Sequence, residues 1–93
     1  MAATIHKKVW PEYFEEIRSG KKKLELRLAD FEVREGDTLV LEEWDPDRKE
    51  YTGRKIEVAV TYILKTKDVL FWSREDIEKY GFQIIQFDTV KPV

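Results

Sequence analysis

Within the eight residues Gly20-Lys21-Lys22-Lys23-Leu24-Glu25-Leu26-Arg27 the chain collects four cations and one carboxylate. Gly20 suits the left-handed position just past a helix. Leu24, Leu26 and Leu28 then alternate with Glu25 and Arg27, which predicts a half-buried strand with one charged face. Two residues of strand advance about 6.6 Å, so Glu25 and Arg27 stand side by side, with Lys23 before them on the same face. Strand parity sends Lys22 to the apolar side, where an unpaired ammonium is unfavourable. Lys22 is therefore expected at the loop-to-strand junction, turned towards the same cleft. In such a cleft lysine and arginine engage a phosphate or a base carbonyl, and a glutamate orients a cation or accepts from an exocyclic amine. The plainer alternative is a solvated ion-pair ladder, worth under about 1 kcal/mol.

The spacing Gly-x-Lys-x-x-Glu-x-Arg, carried by Gly20, Lys22, Glu25 and Arg27, resembles the signature of the ASCH domain, a small barrel of the PUA-like group. Further segments extend the likeness: His6-Lys7-Lys8-Val9-Trp10-Pro11-Glu12-Tyr13-Phe14 before it, and Gly36 to Leu41 and Tyr51-Thr52-Gly53-Arg54 after it. These are similar to the short single-domain branch of the DUF3850 type. The resemblance implies an α+β fold, a PUA-like mixed β-barrel of about five or six strands with one helix after the first strand and a short helix near the C-terminus. It also implies binding of RNA or a modified nucleotide around the signature, with Lys22, Glu25, Arg27, His6, Lys8, Lys21, Lys23 and Arg54 as the ligand-binding set. Where the short branch often carries Arg-Lys-Asn-Asp after the signature glutamate, this chain has Arg27-Leu28-Ala29-Asp30.

The wider ASCH group includes amidohydrolases that deacylate modified cytidine with a lysine, a threonine nucleophile and a carboxylate. The lysine corresponds to Lys22, but Glu25 stands in the nucleophile's place, and a carboxylate forms an acyl-enzyme less readily than an activated hydroxyl. If the chain is an enzyme, a hydrolase acting on an acylated nucleoside or on single-stranded RNA, Lys22 and Glu25 are its catalytic candidates. A protein-interaction module is a third reading.

Composition narrows these classes. With 93 residues the chain is expected to form one domain, residues 1–93, with a modest core. Charged residues make up 39%, well above the roughly 25% average. The net charge of −2 argues against coating nucleic acid by bulk electrostatics. Yet the first 27 residues hold seven lysines and arginines against four glutamates, so the signature lies in a positive end. There is no cysteine, which excludes disulfides, a thiolate nucleophile and a cysteine-built zinc site. His6 is the lone histidine, so no metal site and no cofactor are expected. The absence of a long apolar run and of a signal-peptide pattern leads to the expectation of a cytoplasmic monomer that does not enter membranes. Three tryptophans are candidate stacking surfaces for an unpaired base: Trp10, Trp44 and Trp72.

The elements that must hold these residues follow from punctuation and period. Thr4–Val9 reads as a strand placing His6 and Lys8 on one face. Trp10-Pro11-Glu12 opens a helix with Tyr13, Phe14 and Ile17 on its core side, ending at Ser19-Gly20. After the Glu35-Gly36-Asp37 turn, Thr38–Leu41 continues as a strand to Trp44, and Asp45 to Glu50 forms a hairpin loop. Residues 55–64 alternate as the longest strand. Ser73-Arg74-Glu75-Asp76 opens a helix that Gly81 stops. Phe82–Phe87 is expected as the last strand, and 89–93 as a frayed tail.

Overall fold

The computed structural model describes residues 2–69 and 71–87; the expected tail lies outside them. The chain divides into two compact units, residues 1–63 and 64–93. The first holds β1 (Thr4–Val9), α1 (Pro11–Arg18), β2 (Thr38–Asp45) and β3 (Glu50–Ala59). Its sheet has the order β1-β2-β3, with β1 parallel to β2 and β2 antiparallel to β3. A parallel neighbour requires a crossover, and α1 lies within it.

Register explains what the helix covers. Ile5 pairs with Leu39 and Lys7 with Leu41, while Leu39 and Leu41 pair onward with Val58 and Ile56. Paired residues share a face, so one side of the sheet is aliphatic. Val9, Phe14 and Leu41 form the buried core there, with Ile17, Leu39, Ile56 and Val58 packed around it. Sealing the Phe14 ring is worth roughly 1.5–3 kcal/mol. Lys7 falls on this side by parity, and its ammonium rests over the Phe31 ring at 3.7 Å.

α1 begins where proline can begin a helix. Trp10 is extended at the N-cap, Pro11 follows, and Glu12 and Arg18 complement the two ends of the helix dipole. At the start of β2 the buried Asp37 accepts from the backbone N–H of Ala3 at 2.9 Å and of Arg34 at 2.8 Å. These two donors, Ala3 first, hold its carboxyl below the usual aspartate range.

The hairpin loop forms as expected: the Asp45 carboxylate accepts from the N–H of Asp47 at 2.9 Å and of Arg48 at 3.2 Å. β3, however, starts within that loop at Glu50 and ends at Ala59, not at Leu64. Its partner runs out: Thr38 pairs with Ala59, and a last bracket joins Val60 to Gly36 and Asp37. Tyr62 and Leu64 are consequently exposed. Between Glu42 and Trp44 the register shifts, so Glu43 alone faces Thr52-Gly53-Arg54 across a bulge.

The signature strand is a second correction. Residues 22–28 join no ladder among the described residues, and Leu26 and Leu28 are exposed. Alternation gives a strand its faces but not its neighbour, and without one these leucines have no surface to cover. The same holds for 82–87, expected as the last strand: no ladder forms among the described residues, and Ile84, Ile85 and Phe87 are exposed. The described sheet is therefore open, with three strands where a barrel of five or six was expected. In the second unit, Thr66–Asp68 forms a 3₁₀ turn. Ser73 caps α2 (Arg74–Tyr80) by accepting from Asp76 N–H at 3.1 Å, and Gly81 ends it.

Candidate functional site

The signature begins at the C-terminal end of α1. Gly20, at φ +84°, turns the chain so that its N–H reaches the Ile17 carbonyl at 3.0 Å, and the Lys22 N–H reaches Glu16 at 2.9 Å. Lys21, Lys22 and Lys23 thus follow directly on a helix end whose partial charge is negative, which favours cations there. Lys22 folds its ammonium 4.7 Å from the Tyr13 ring and 3.8 Å from Glu25 Oε1. The other Glu25 oxygen accepts from Arg27 Nε at 2.6 Å. Arg27 also donates through Nη2 to the Lys8 carbonyl, which ties the irregular segment to β1.

Lys22, Glu25 and Arg27 therefore meet, and the environment is only partly wet: their side chains are 22%, 15% and 31% exposed. Glu25 is flanked by two cations, so it orients them and leaves one positive charge uncompensated. At 3.8 Å the Lys22 contact is an ion pair without a hydrogen bond. An ammonium carries three donors, so Lys22 can take an anionic or carbonyl oxygen. Lys21 and Lys23, beside it in sequence, are exposed. Tyr13 was expected on the core side of α1; it is half exposed and supplies the ring beneath Lys22 instead.

His6 and Lys8 share the sheet face away from α1, together with Glu42 and Trp44 and, across the hairpin, Lys55 and Tyr51. Glu42 takes both His6 Nδ1, at 3.2 Å, and Lys55 Nζ, at 3.6 Å. Trp44 and Tyr51 meet edge to face, with centroids 4.9 Å apart. The Lys8 ammonium lies 3.8 Å from the Trp44 centroid and 5.7 Å from that of Tyr51. Sequence reading missed Tyr51, although a hairpin that pairs Asp45 with Glu50 necessarily brings residues 44 and 51 together.

Arg54 is not part of this group. Its Nε contacts Glu43 at 3.1 Å, its Nη2 contacts Glu43 and Glu15 at 3.3 Å each, and its guanidinium covers the Phe14 ring at 4.7 Å. Thr52 donates to the same Glu43 carboxylate at 2.6 Å. The bulge makes this convergence possible, because it lets two β3 side chains reach one β2 carboxylate. Glu15 also binds Arg18, whose hydrogen bond, with that of Arg54, lowers its pKa from 4.5 to about 2. Trp10 is half exposed at the N-cap of α1, and Trp72 stands in the second unit between Phe71 and Phe82. Neither meets the signature residues in a described contact. No cluster of metal-ligating side chains occurs among the described residues, and no described helix is long and apolar enough to cross a membrane.

Fold and site together define a small α+β protein built on a mixed sheet, with a charged cluster where the first helix ends. Residues 5–75 match the family described as "Domain of unknown function (DUF3850)", and the chain belongs to that family. It is also similar to the "Uncharacterized 12.9 kDa protein in GpA 3'region" of Escherichia phage P2, with 39% identity over 71 residues. That likeness covers 75% of this chain and 63% of the phage protein, so the chain spans less than two thirds of the relative's length.

Proposed function

We propose that the protein binds RNA or a modified nucleotide in the cleft formed by Lys22, Glu25 and Arg27. The observation that carries this reading is the Lys22 ammonium: the tip of a largely enclosed side chain, held by an ion pair at 3.8 Å, and left with donors for an incoming oxygen. Arg27, anchored by Glu25 and the Lys8 carbonyl, adds a forked cation at a fixed place. The resemblance to the ASCH domain and its PUA-like barrel belongs to the same proposal. It draws support from the signature spacing and from a mixed sheet whose first strand is followed by a helix. A single domain acting as a cytoplasmic monomer completes the reading.

Binding is favoured over hydrolysis because both Glu25 oxygens face cations, which suits an orienting group better than a nucleophile or base. The test is to incubate the purified protein with modified nucleosides and short single-stranded RNAs and to analyse bound and released material by mass spectrometry. Intact ligand should be retained. Lys22→Ala should lower affinity by about tenfold or more, the size of a hydrogen bond to a charged group. Glu25→Gln should weaken binding at an unchanged melting temperature. Turnover abolished by Lys22→Ala would replace the binder by a hydrolase, and retention of nothing would remove the cleft from consideration.

A further inference from the structure

The cations of the first unit are held in two different ways. Lys55 faces Glu42, Lys22 and Arg27 face Glu25, Arg18 faces Glu15, and Arg54 faces Glu15 and Glu43. Two lysines of β1 instead rest their ammonium groups on rings, Lys7 over Phe31 on the helix-covered side and Lys8 in the corner between Trp44 and Tyr51 on the other. The difference is chemical. A carboxylate offsets the charge of the cation it faces, whereas a ring quadrupole holds the cation in place and leaves its charge and its donors available. The corner itself is well fixed, since its two rings sit on paired strands and pack edge to face at 4.9 Å and 78°.

Lys8 is also joined to the signature cleft, because its carbonyl receives the Arg27 guanidinium. One residue of β1 thus carries a ring-held ammonium on its side chain and a guanidinium on its carbonyl. We propose that the Lys8 ammonium, set by Trp44 and Tyr51, is a phosphate-binding subsite beside the Lys22–Glu25–Arg27 cleft. This inference rests on the binding function proposed for that cleft and narrows its ligand to a phosphorylated one. The group bound is a phosphate, whether a terminal monoester or a diester within a strand. Trp44 and Tyr51 act here as positioning residues, because they reach the ligand through Lys8.

The experiment compares three probes on the full chain: mixed nucleosides, their 5′-monophosphates, and a mixed-sequence single-stranded RNA. Wild type should bind at least one phosphorylated probe about tenfold more tightly than the nucleosides. A gain with monophosphates assigns a terminal phosphate, and a gain with RNA alone assigns a strand. Lys8→Gln should erase the gain, bringing the phosphorylated probes down to the affinity of the nucleosides at an unchanged melting temperature. For RNA it should also reduce the slope of log affinity against log salt by about 0.7. Trp44→Leu should reproduce the loss and Trp44→Phe should restore binding, a rescue that a purely structural tryptophan would not confine to phosphate-bearing probes. A phosphate preference that survives Lys8→Gln, or a wild type without one, overturns the subsite. If Lys22→Ala still abolishes binding in that case, the cleft stands without the subsite; failure of every probe overturns both.

Discussion

Two of the arginine–carboxylate clusters in the first unit, one around Glu43 and one around Glu25, use the same chemistry to opposite ends. At Glu43 the carboxylate is buried, its oxygens accept from Thr52 and Arg54, and Arg54 closes over the core ring of Phe14. At Glu25 the backbone belongs to no ladder among the described residues, and Lys22 approaches only to ion-pair distance. A cluster whose donors and acceptors are matched on paired strands, here across a bulge, holds a helix to a sheet. A cluster with donors to spare on irregular backbone can receive something else. Arg54 was expected to join the ligand-binding set, and its partners instead place it in the first kind.

The largest effect should come from breaking the closed cluster. Arg54→Ala leaves the buried Glu43 carboxylate without its guanidinium and uncovers the Phe14 ring. Removing one partner of a buried pair costs about 3–5 kcal/mol; water already reaches half of the Arg54 side chain, so about 2 kcal/mol is expected here. Urea unfolding should show that loss, while affinity for RNA or nucleotide stays within twofold of wild type, about 0.4 kcal/mol. A matching loss of affinity at intact fold would place Arg54 in the cleft after all and dissolve the distinction.

Next in size is the hinge between helix and signature. A Cβ on Gly20 meets nothing within 4 Å, so the cost of Gly20→Val is that of its backbone, at φ +84°. That conformation costs a non-glycine residue about 1–2 kcal/mol, most for a β-branched one and least for asparagine. Gly20→Val should therefore lower stability by about 1–2 kcal/mol and also weaken binding, because Lys22 is positioned by the same turn. Gly20→Asn should recover most of both. Loss of stability with unaltered binding would show that the turn does not set Lys22.

Smaller still is Arg27→Lys. A single ammonium cannot reproduce the fork that joins Glu25 to the Lys8 carbonyl. Stability should change by less than about 0.5 kcal/mol, as at other partly exposed pairs, and affinity should fall several-fold. Unchanged affinity would remove Arg27 from the cleft.

How much of this was legible beforehand follows from what a sequence encodes locally. Pro11, Gly20, the Asp45 loop, Ser73 and Gly81 act on their own neighbours, and the two helices and the hairpin turn appear where expected. The spacing of Lys22, Glu25 and Arg27 was equally readable, because all three lie within six residues. Pairing is different. Where β3 ends depends on where β2 begins, and the convergence of Thr52 and Arg54 on Glu43 depends on a bulge that shifts register between strands. The alternating leucines of residues 24–28 specified faces without specifying a neighbour. Tyr13 fitted the apolar stripe of α1, but an ammonium from beyond the helix end competes for its ring.

The smallest effect separates the clusters by pH. Glu15 belongs to the closed one, with Arg18 and then Arg54 drawing its pKa from 4.5 down to about 2. A carboxyl depressed by folding contributes stability that is present above its unfolded pKa and is lost as pH falls through the folded value. The contribution of Glu15 should thus be whole above pH 4.5 and decline towards pH 2. Glu15→Gln should lower the melting temperature by a small, constant amount above that window, and the gap to wild type should close within it. Added salt should narrow the gap at every pH, since Glu15 is half exposed. Asp37 is lowered by backbone donors and not by Arg18 or Arg54, so Asp37→Asn in the same series separates its contribution from that of Glu15. Because Glu15 makes no described contact with the signature residues, its loss should leave ligand affinity at neutral pH unchanged. A gap that stays constant down to pH 2 would mean that Arg18 and Arg54 do not hold Glu15 in the folded protein, and the closed cluster would then rest on Glu43 alone.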